Sequence, residues 1–324
     1  MNIGAAIREY FEQVVAGWNR FWFRPQDPAT LSFIRICAGL MLLYTHLVWS
    51  LDLEAFFGQG GWLPREVIAT LQQSSYAWSY FWWIDSAWLL WTVHIAGLVV
   101  FAMLTVGYHS RIVAVLAYVI AVSYTGRVPG ALFGLDKINC MLAMYLMLGP
   151  SGAYWSVDRL LARRRSRAPL PSPPPSVSAN VAIRLIQLHM CIIYLFSGLG
   201  KLQGTAWWDG TAVWMALANL EYQSIDMTWL ADWPKLVALM THATVFWELF
   251  YVALVWHRLW RPIMLIGAVA VHGGIAIGLG MITFGLVMLI GNLAFIPPHM
   301  IRAAMDAIFA RQGRESPVLE ASTA

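Results

Sequence analysis

The chain has 324 residues, of which 59% are hydrophobic and 12% are charged, and its formal net charge is +4. Soluble domains carry about 25% charged residues, so this composition excludes an ordinary soluble protein. The basic residues cluster in short segments between apolar stretches, which indicates membrane orientation rather than nucleic-acid binding. We therefore expect an all-α fold: a polytopic transmembrane helical bundle of about eight spans with short interfacial helices.

The N-terminal segment 1–24 is predicted to form an amphipathic helix along the membrane interface. Ile3, Ile7, Val14 and Trp18 recur at helical spacing, with charged residues on the opposite side. An apolar stripe facing a charged one is typical of a helix that lies at the interface. The same charges interrupt any apolar core that a cleavable signal peptide would need.

Residues 25–300 are predicted to form the transmembrane domain, followed by a cytoplasmic tail over 301–324. A spanning helix needs about 20 mostly apolar residues. Such stretches lie near residues 29–51, 86–107, 110–126, 131–149, 181–201, 236–256, 262–279 and 281–298. The last two form one apolar run that only Gly278 and Gly280 divide. We split it into a hairpin, although one span with a re-entrant segment remains open.

The distribution of Lys and Arg predicts the orientation of the chain. Alternate connections, together with the termini, contain most of the Arg residues, and segment 159–180 alone holds a basic run followed by Pro and Ser. This composition favours a solvated linker. The other connections hold only Arg65, Arg127, Lys201 and Lys235. The positive-inside rule then places both termini and the linker in the cytoplasm of a bacterial-type cell, with the protein in the inner membrane.

Three ionisable residues lie deep in predicted spans, where each costs about 2.5–3.5 kcal/mol on insertion scales. They are Lys201, Glu248 and His272. We predict that they share an interior site, and Gly273 and Gly274 beside His272 suggest close backbone approach. For Lys201 a second interpretation stays open, in which it snorkels outward past the following tryptophans. The fifth span also carries a polar stripe at helical spacing, made of Gln187, Met190, Tyr194, Ser197 and Lys201.

Other polar groups in the spans have simpler explanations. Arg35 lies about one turn inside the first span, and it is expected either to snorkel to the cytoplasmic surface or to join an internal ion pair. Asp136 lies near the opposite surface, so the two are not paired. Asn139 shares a helix face with Asp136. The three cysteines form no CxxC pair, and neither a disulfide nor a metal site is predicted.

The segment IIYLFSGLGKLQGTAWWDG resembles the HTTM (horizontally transferred transmembrane) family, which is related to the membrane part of vitamin K-dependent gamma-carboxylase. The resemblance extends over about residues 28–298. Supporting segments in chain order are LSFIRICAGLMLLY, FFGQGGWLP, YWSVDRLL, THATVFWELFY and VHGGIAIGLGMITFGLVML.

The resemblance implies a helical bundle with a site that opens toward the non-cytoplasmic side. In the carboxylase, a lysine in a motif like SGLGKL is the base linked to oxidation of reduced vitamin K. By motif position this role falls on Lys201, and His272 and Glu248 match polar positions typical of the family. A reduced, vitamin K-like quinone is the implied cofactor. The candidates for contact with substrate are Tyr194, Ser197, Asn139 and Trp208.

Two departures weaken the case for glutamate carboxylation. The carboxylase uses a histidine in the helix before its SVD-like segment, but here no histidine occurs between His109 and His189. The sequence also ends shortly after the eighth predicted span, so the large lumenal domain that engages the carboxylase's protein substrate is not expected here. The leading hypothesis is a quinone- or lipid-dependent redox, oxygenation or carboxylation-type enzyme. The alternative is a non-catalytic transport, immunity or scaffold component that works with a separate redox protein.

Overall fold

The structure, a computed structural model, describes residues 3–72, 77–166 and 169–315, with side chains up to residue 308. Within these ranges the chain is all-α, as predicted, and its only β-type pairing is an isolated bridge between Gln26 and Ser176. The α-helices are α1 (Ile3–Phe23), α2 (Ala29–Trp49), α3 (Leu53–Phe57), α4 (Arg65–Leu71), α5 (Ala87–Val106), α6 (Ser110–Arg127), α7 (Gly134–Leu146), α8 (Val157–Arg165), α9 (Val177–Lys201), α10 (Thr205–Trp208), α11 (Ala212–Leu217), α12 (Pro234–Leu254), α13 (Arg261–Gly278), α14 (Ile282–Asn292) and α15 (Pro298–Glu315).

The longer helices pack against one another in one bundle, whose two ends can be told apart. The bridge between Gln26 and Ser176 places the beginnings of α2 and α9 at the same end. The hydroxyl of Thr30 donates to the carbonyl of Ile296, so the chain after α14 returns to that end. We call it the linker end. The other is called the capped end, because the short helices α3, α4, α10 and α11 lie there.

Five or six of the predicted spans are supported by the length and composition of the described helices. Among the described residues, α2 with its extension to Phe57, α5, α9, α12 and α13 are long and apolar enough to cross a membrane. A sixth candidate joins the α14 segment to α15 through a bend of 119°. The prediction of about eight spans is therefore not confirmed. Two of the predicted spans form helices shorter than the roughly 20 residues needed, since α7 has 13 residues and α14 has 11.

The long apolar run near the C-terminus breaks between α13 and α14, where Gly280 has a φ of +67°. The two helices pack closely at Gly285, where an added Cβ would lie 2.6 Å from the carbonyl oxygen of His272. The expectation that Gly273 and Gly274 allow the close approach is wrong, because no atom lies within 4 Å of a Cβ built at either position. The glycine that allows the close approach is Gly285 on α14, the helix that faces His272.

Helix α1 contributes no residue to the protein core. Its last turn is attached to α9, since the amide of Asn180 donates to the carbonyls of Phe21 at 2.7 Å and Trp22 at 2.9 Å. Its apolar residues, including Ile7 and Trp18, are exposed in the protein alone. An attached helix with an exposed apolar face supports the prediction that α1 lies on a lipid surface.

Arg35 follows neither interpretation offered by the sequence. Its side chain is fully buried, and Nη2 donates to the carbonyl of Trp155 at 2.7 Å. Among the described residues no carboxylate lies within ion-pair distance of it, although Asp158 lies near enough to favour its charge. The guanidinium thus fixes the connection before α8 against the first turns of α2.

The SVD segment caps two helices at the linker end. Ser156 accepts a hydrogen bond from the backbone of Arg159 and caps α8. Asp158 caps α6, because it accepts from the backbone of His109 at 2.8 Å and from the backbone and hydroxyl of Ser110 at 2.8 and 2.7 Å. These contacts give the segment a structural role that is independent of any ligand.

Asp158 is expected to make the stability of the protein depend on pH. Burial raises the pKa of this carboxyl, but the hydrogen bonds from Ser110 and His109 outweigh it and hold the pKa below the ordinary value. Its contribution is thus complete above the unfolded pKa, near 3.9, and is lost as the pH falls through the lowered value. We expect Asp158→Asn to cost about 1 kcal/mol at neutral pH, a modest value because the group is partly solvated.

Thermal unfolding of the wild-type protein and of Asp158→Asn between pH 3 and pH 7 checks this. The difference between them should shrink as the pH falls toward 3. A difference that is independent of pH would contradict the assignment. Asp232→Asn serves as the control, because Asp232 is an exposed carboxylate at the capped end.

Candidate intramembrane site

Lys201 and Glu248 form an ion pair between α9 and α12. Nζ of Lys201 lies 2.8 Å from Oε2 of Glu248 and donates to Oε1 at 3.0 Å. The hydroxyl of Ser197 accepts from the same Nζ at 2.7 Å. The two charged side chains are only 21% and 7% exposed. Lys201 is therefore directed into the bundle and does not snorkel past the tryptophans.

A second polar network lies beside this pair and contains His272. The hydroxyl of Tyr194 lies 2.8 Å from Nε2 of His272, and the amide of Asn292 donates to that hydroxyl at 2.8 Å. The hydroxyl of Tyr251 donates to the amide oxygen of Asn292 at 2.5 Å. All four residues are buried. Three further helices, α12, α13 and α14, are thus joined to α9 by hydrogen bonds.

The hydrogen bonds to Tyr194 favour one tautomer of His272. Because the Tyr194 hydroxyl accepts from Asn292, its own proton is free to be donated to Nε2 of His272. A neutral imidazole that accepts at Nε2 carries its proton at Nδ1. That Nδ1 is buried and has no hydrogen-bond partner among the described residues. In this tautomer, Nδ1 is an N–H donor that no described residue satisfies.

Helical spacing connects the two networks. Tyr194, Ser197 and Lys201 follow one another at intervals of three and four residues, so they lie on one face of α9. On α12 the ring of Trp247 lies 4.8 Å from that of Tyr194 and 6.3 Å from that of His272. The ring of Trp207 lies 5.2 Å from Nζ of Lys201. Aromatic rings thus flank both polar networks.

The HTTM domain matches residues 23–299 of this chain, which includes every helix that contributes to the two networks. The chain belongs to the HTTM family. No curated protein and no solved structure matches it. The family resemblance is therefore confirmed, and the HTTM protein is a membrane protein related to the membrane part of the gamma-carboxylase.

The HTTM fold separates the candidate residues into two groups. Five lie together in the networks described above: Lys201, Glu248, His272, Tyr194 and Ser197. Two lie elsewhere. The indole of Trp208 is exposed and donates to the carbonyl of Leu202 at 2.8 Å. Asn139 lies on α7, where its amide is 3.4 Å from the hydroxyl of Thr45.

Four residues in or beside the networks were not among the predicted site residues: Tyr251, Asn292, Trp207 and Trp247. Asn292 is a polar residue in an apolar run, so the argument from insertion cost that singled out Glu248 would have found it. Tyr251 lies three residues after Glu248 and therefore near the same face of α12. The tryptophans gave no signal, because aromatic residues are expected at many interfacial positions.

A separate polar cluster in the HTTM protein surrounds Asn139, between α2, α5, α6 and α7. His94 bonds the hydroxyls of Tyr124 at 2.6 Å and Ser50 at 2.7 Å. Nε2 of His46 is buried and has no partner among the described residues. A cavity of about 10 Å³ lies between His46 and Asn139, which is room for about one water molecule. The cluster is too small to hold an organic substrate.

Proposed function

We propose that this HTTM protein is a quinone-dependent redox or oxygenation enzyme whose intramembrane site is built on Lys201, Glu248 and His272. The observation that carries the proposal is the ion pair between Lys201 and Glu248 next to His272, whose buried Nδ1 has no partner among the described residues. Ionisable groups inside a membrane are costly, and they are found where a protein binds or moves protons, ions or ligands.

Two features of these residues support a reduced quinone as the cofactor of the proposed enzyme. A flat aromatic ring with hydroxyl groups needs apolar walls and a few well-placed polar partners. Trp207 and Trp247 supply aromatic walls beside Lys201 and Tyr194, and Nδ1 of His272 supplies an unused donor. When bound, a reduced quinone supplies two electrons and two protons for a redox reaction.

In the proposed mechanism, Lys201 and Glu248 transfer the proton that a bound hydroxyl group releases. As an ion pair, Lys201 already carries a proton and has no free lone pair. Transfer of that proton across 2.8 Å to Oε2 of Glu248 would leave both groups neutral. The neutral amine of Lys201 then accepts a proton from a bound hydroxyl group, as a general base does. Ser197 holds Nζ in position throughout.

The test uses the full chain, purified in native lipid and then reconstituted into nanodiscs. Bound quinones are identified by mass spectrometry, and the oxygen-dependent oxidation of added reduced quinone is measured. We expect Lys201→Met to retain the quinone and to lower the rate by about a hundredfold or more. Lys235→Met is the matched control, because Lys235 is an exposed lysine on α12 at the same end of the bundle. If the wild-type protein neither retains nor oxidises a quinone, the proposal is wrong.

A second candidate function is that of a non-catalytic transport, immunity or scaffold component with a separate redox protein as partner. One observation favours it: Nζ of Lys201, the hydroxyl of Tyr194 and the amide of Asn292 are all bonded to other protein groups. Such a network also serves to hold four helices together. This alternative predicts that Lys201→Met lowers stability while the wild-type protein shows no quinone oxidation.

The proposed orientation places the linker end in the cytoplasm of the cell and the Lys201 site toward the other surface of an inner membrane. The excess of Arg at the linker end and in the segments around it supports this orientation. Lys201 is the last residue of α9, which runs away from the linker end. A quinone in the bilayer would reach this depth laterally, between helices.

A further inference from the structure

A cavity of about 380 Å³ opens at the linker end, far along α9 from Lys201. It lies between the end of α1, the first turns of α9, the turn before α13 and the connection from α14 to α15. Four arginines line it: Arg20, Arg24, Arg184 and Arg261. The lining of the cavity therefore carries a strong positive charge.

The positive charge of this cavity is not neutralised by the protein. Among the described residues that line it, the one carboxylate is Asp27. Asp27 is already engaged, because Oδ2 pairs with Arg302 at 3.1 Å and Oδ1 accepts from the backbone of Ala29 at 2.9 Å. Among the described residues, Arg20 and Arg24 have neither a side-chain hydrogen bond nor an ion pair.

Arg184 lies at the inner wall of the cavity, about two turns into α9. Its guanidinium lies 4.5 Å from the ring centroid of Phe21, and Nη1 donates to Gln187 at 2.9 Å. Nε is buried and has no hydrogen-bond partner among the described residues. Arg184 and Arg261 lie close enough to repel each other. An anion bound in the cavity would offset this repulsion.

We propose that this cavity binds a phosphate ester, as the headgroup of an anionic phospholipid from the cytoplasmic leaflet. Guanidinium groups bind phosphate oxygens through paired, charge-assisted hydrogen bonds, and basic pockets between membrane helices bind anionic headgroups. Trp256, Phe295 and Pro297 form an apolar part of the wall, against which the glycerol and first acyl carbons pack. The exposed apolar face of α1 places the cavity at headgroup depth.

The test measures retention of phosphatidylglycerol by the full chain in phosphatidylcholine nanodiscs, with native mass spectrometry as the readout. The variant is Arg20→Gln with Arg24→Gln, because both side chains are exposed and neither supports the fold. Each basic side chain near an anionic headgroup contributes about a fivefold factor in affinity. We therefore expect the double variant to bind the lipid about 25-fold more weakly than the wild-type protein.

The matched control is Arg163→Gln with Arg164→Gln on α8, which removes the same charge from exposed positions outside the cavity. It should bind the lipid as the wild-type protein does. Inorganic phosphate is added as a competitor to separate the two sources of the anion. If millimolar phosphate does not displace phosphatidylglycerol from the protein, the result supports a lipid ligand. If it does displace the lipid, the cavity binds soluble phosphate and the lipid proposal is wrong. Equal retention by both double variants and the wild type would overturn the proposal.

Discussion

Replacing Glu248 with glutamine is expected to destabilise the protein by about 3 kcal/mol, because it leaves the ammonium group of Lys201 without its counter-ion. The two side chains are 21% and 7% exposed, so water can compensate for the loss only in part. Thermal unfolding in lipid-matched detergent measures the effect. The double variant Lys201→Met with Glu248→Gln should recover part of the lost stability, since it removes both charges.

Asp85→Asn is the control for this experiment. Like Glu248, Asp85 forms an ion pair with a basic residue, since it lies 2.9 Å from Arg65. The side chain of Asp85, however, is 74% exposed. Surface pairs of this kind contribute less than about 1 kcal/mol. The two single variants and the double variant form a double-mutant cycle. If the losses in unfolding free energy from Lys201→Met and Glu248→Gln add up in the double variant, the two groups do not interact, and the proposed site loses its basis.

Replacing Gly107 with alanine is expected to have a comparable or larger effect at the linker end. Gly107 has a φ of +72°, a conformation that costs an L-residue about 1–2 kcal/mol. An alanine Cβ would also lie within 2.6 Å of the Cβ of Ser156 and in hard contact with the guanidinium of Arg35. Because Arg35 is fully buried, it cannot move into solvent to make room. We expect a total loss of more than about 3 kcal/mol.

Gly274→Ala is the matched control, because no atom lies within 4 Å of a Cβ at that position and the residue is helical. Alanine is a better helix former than glycine, so this variant should be neutral or slightly more stable. Urea or thermal unfolding of both variants beside the wild type gives the comparison. Equal stability of the two variants would contradict the packing at Gly107.

The insertion-cost argument identified the main elements of the candidate site. Lys201, Glu248 and His272 were singled out because charge in hydrocarbon is costly, and the structure brings all three into adjoining networks. Tyr194 and Ser197 were found by helical spacing along the same face. Both arguments depend only on residue type and on the 3.6-residue period, which a sequence displays directly.

Two predicted contact residues, Trp208 and Asn139, lie outside the site, and the reason is physical. Trp208 follows Lys201 closely in sequence, but a tight connection to α10 turns its indole toward the backbone of Leu202. Asn139 lies on α7, and nothing in its own helix tells which neighbour that helix meets. Side-chain direction after a turn, and the choice of helix neighbours, depend on long-range packing.

The sequence by itself determined the class of this protein, its family and its costly interior charges, because composition, motif order and periodicity are local properties of the chain. Only the tertiary structure decided which charges meet: Lys201 with Glu248, Tyr194 with both His272 and Asn292, and four arginines around one cavity. It also showed that α7 and α14 are too short to count as ordinary spans. The reason is that contacts between helices distant in sequence depend on how whole surfaces pack, and a one-dimensional pattern does not contain that information.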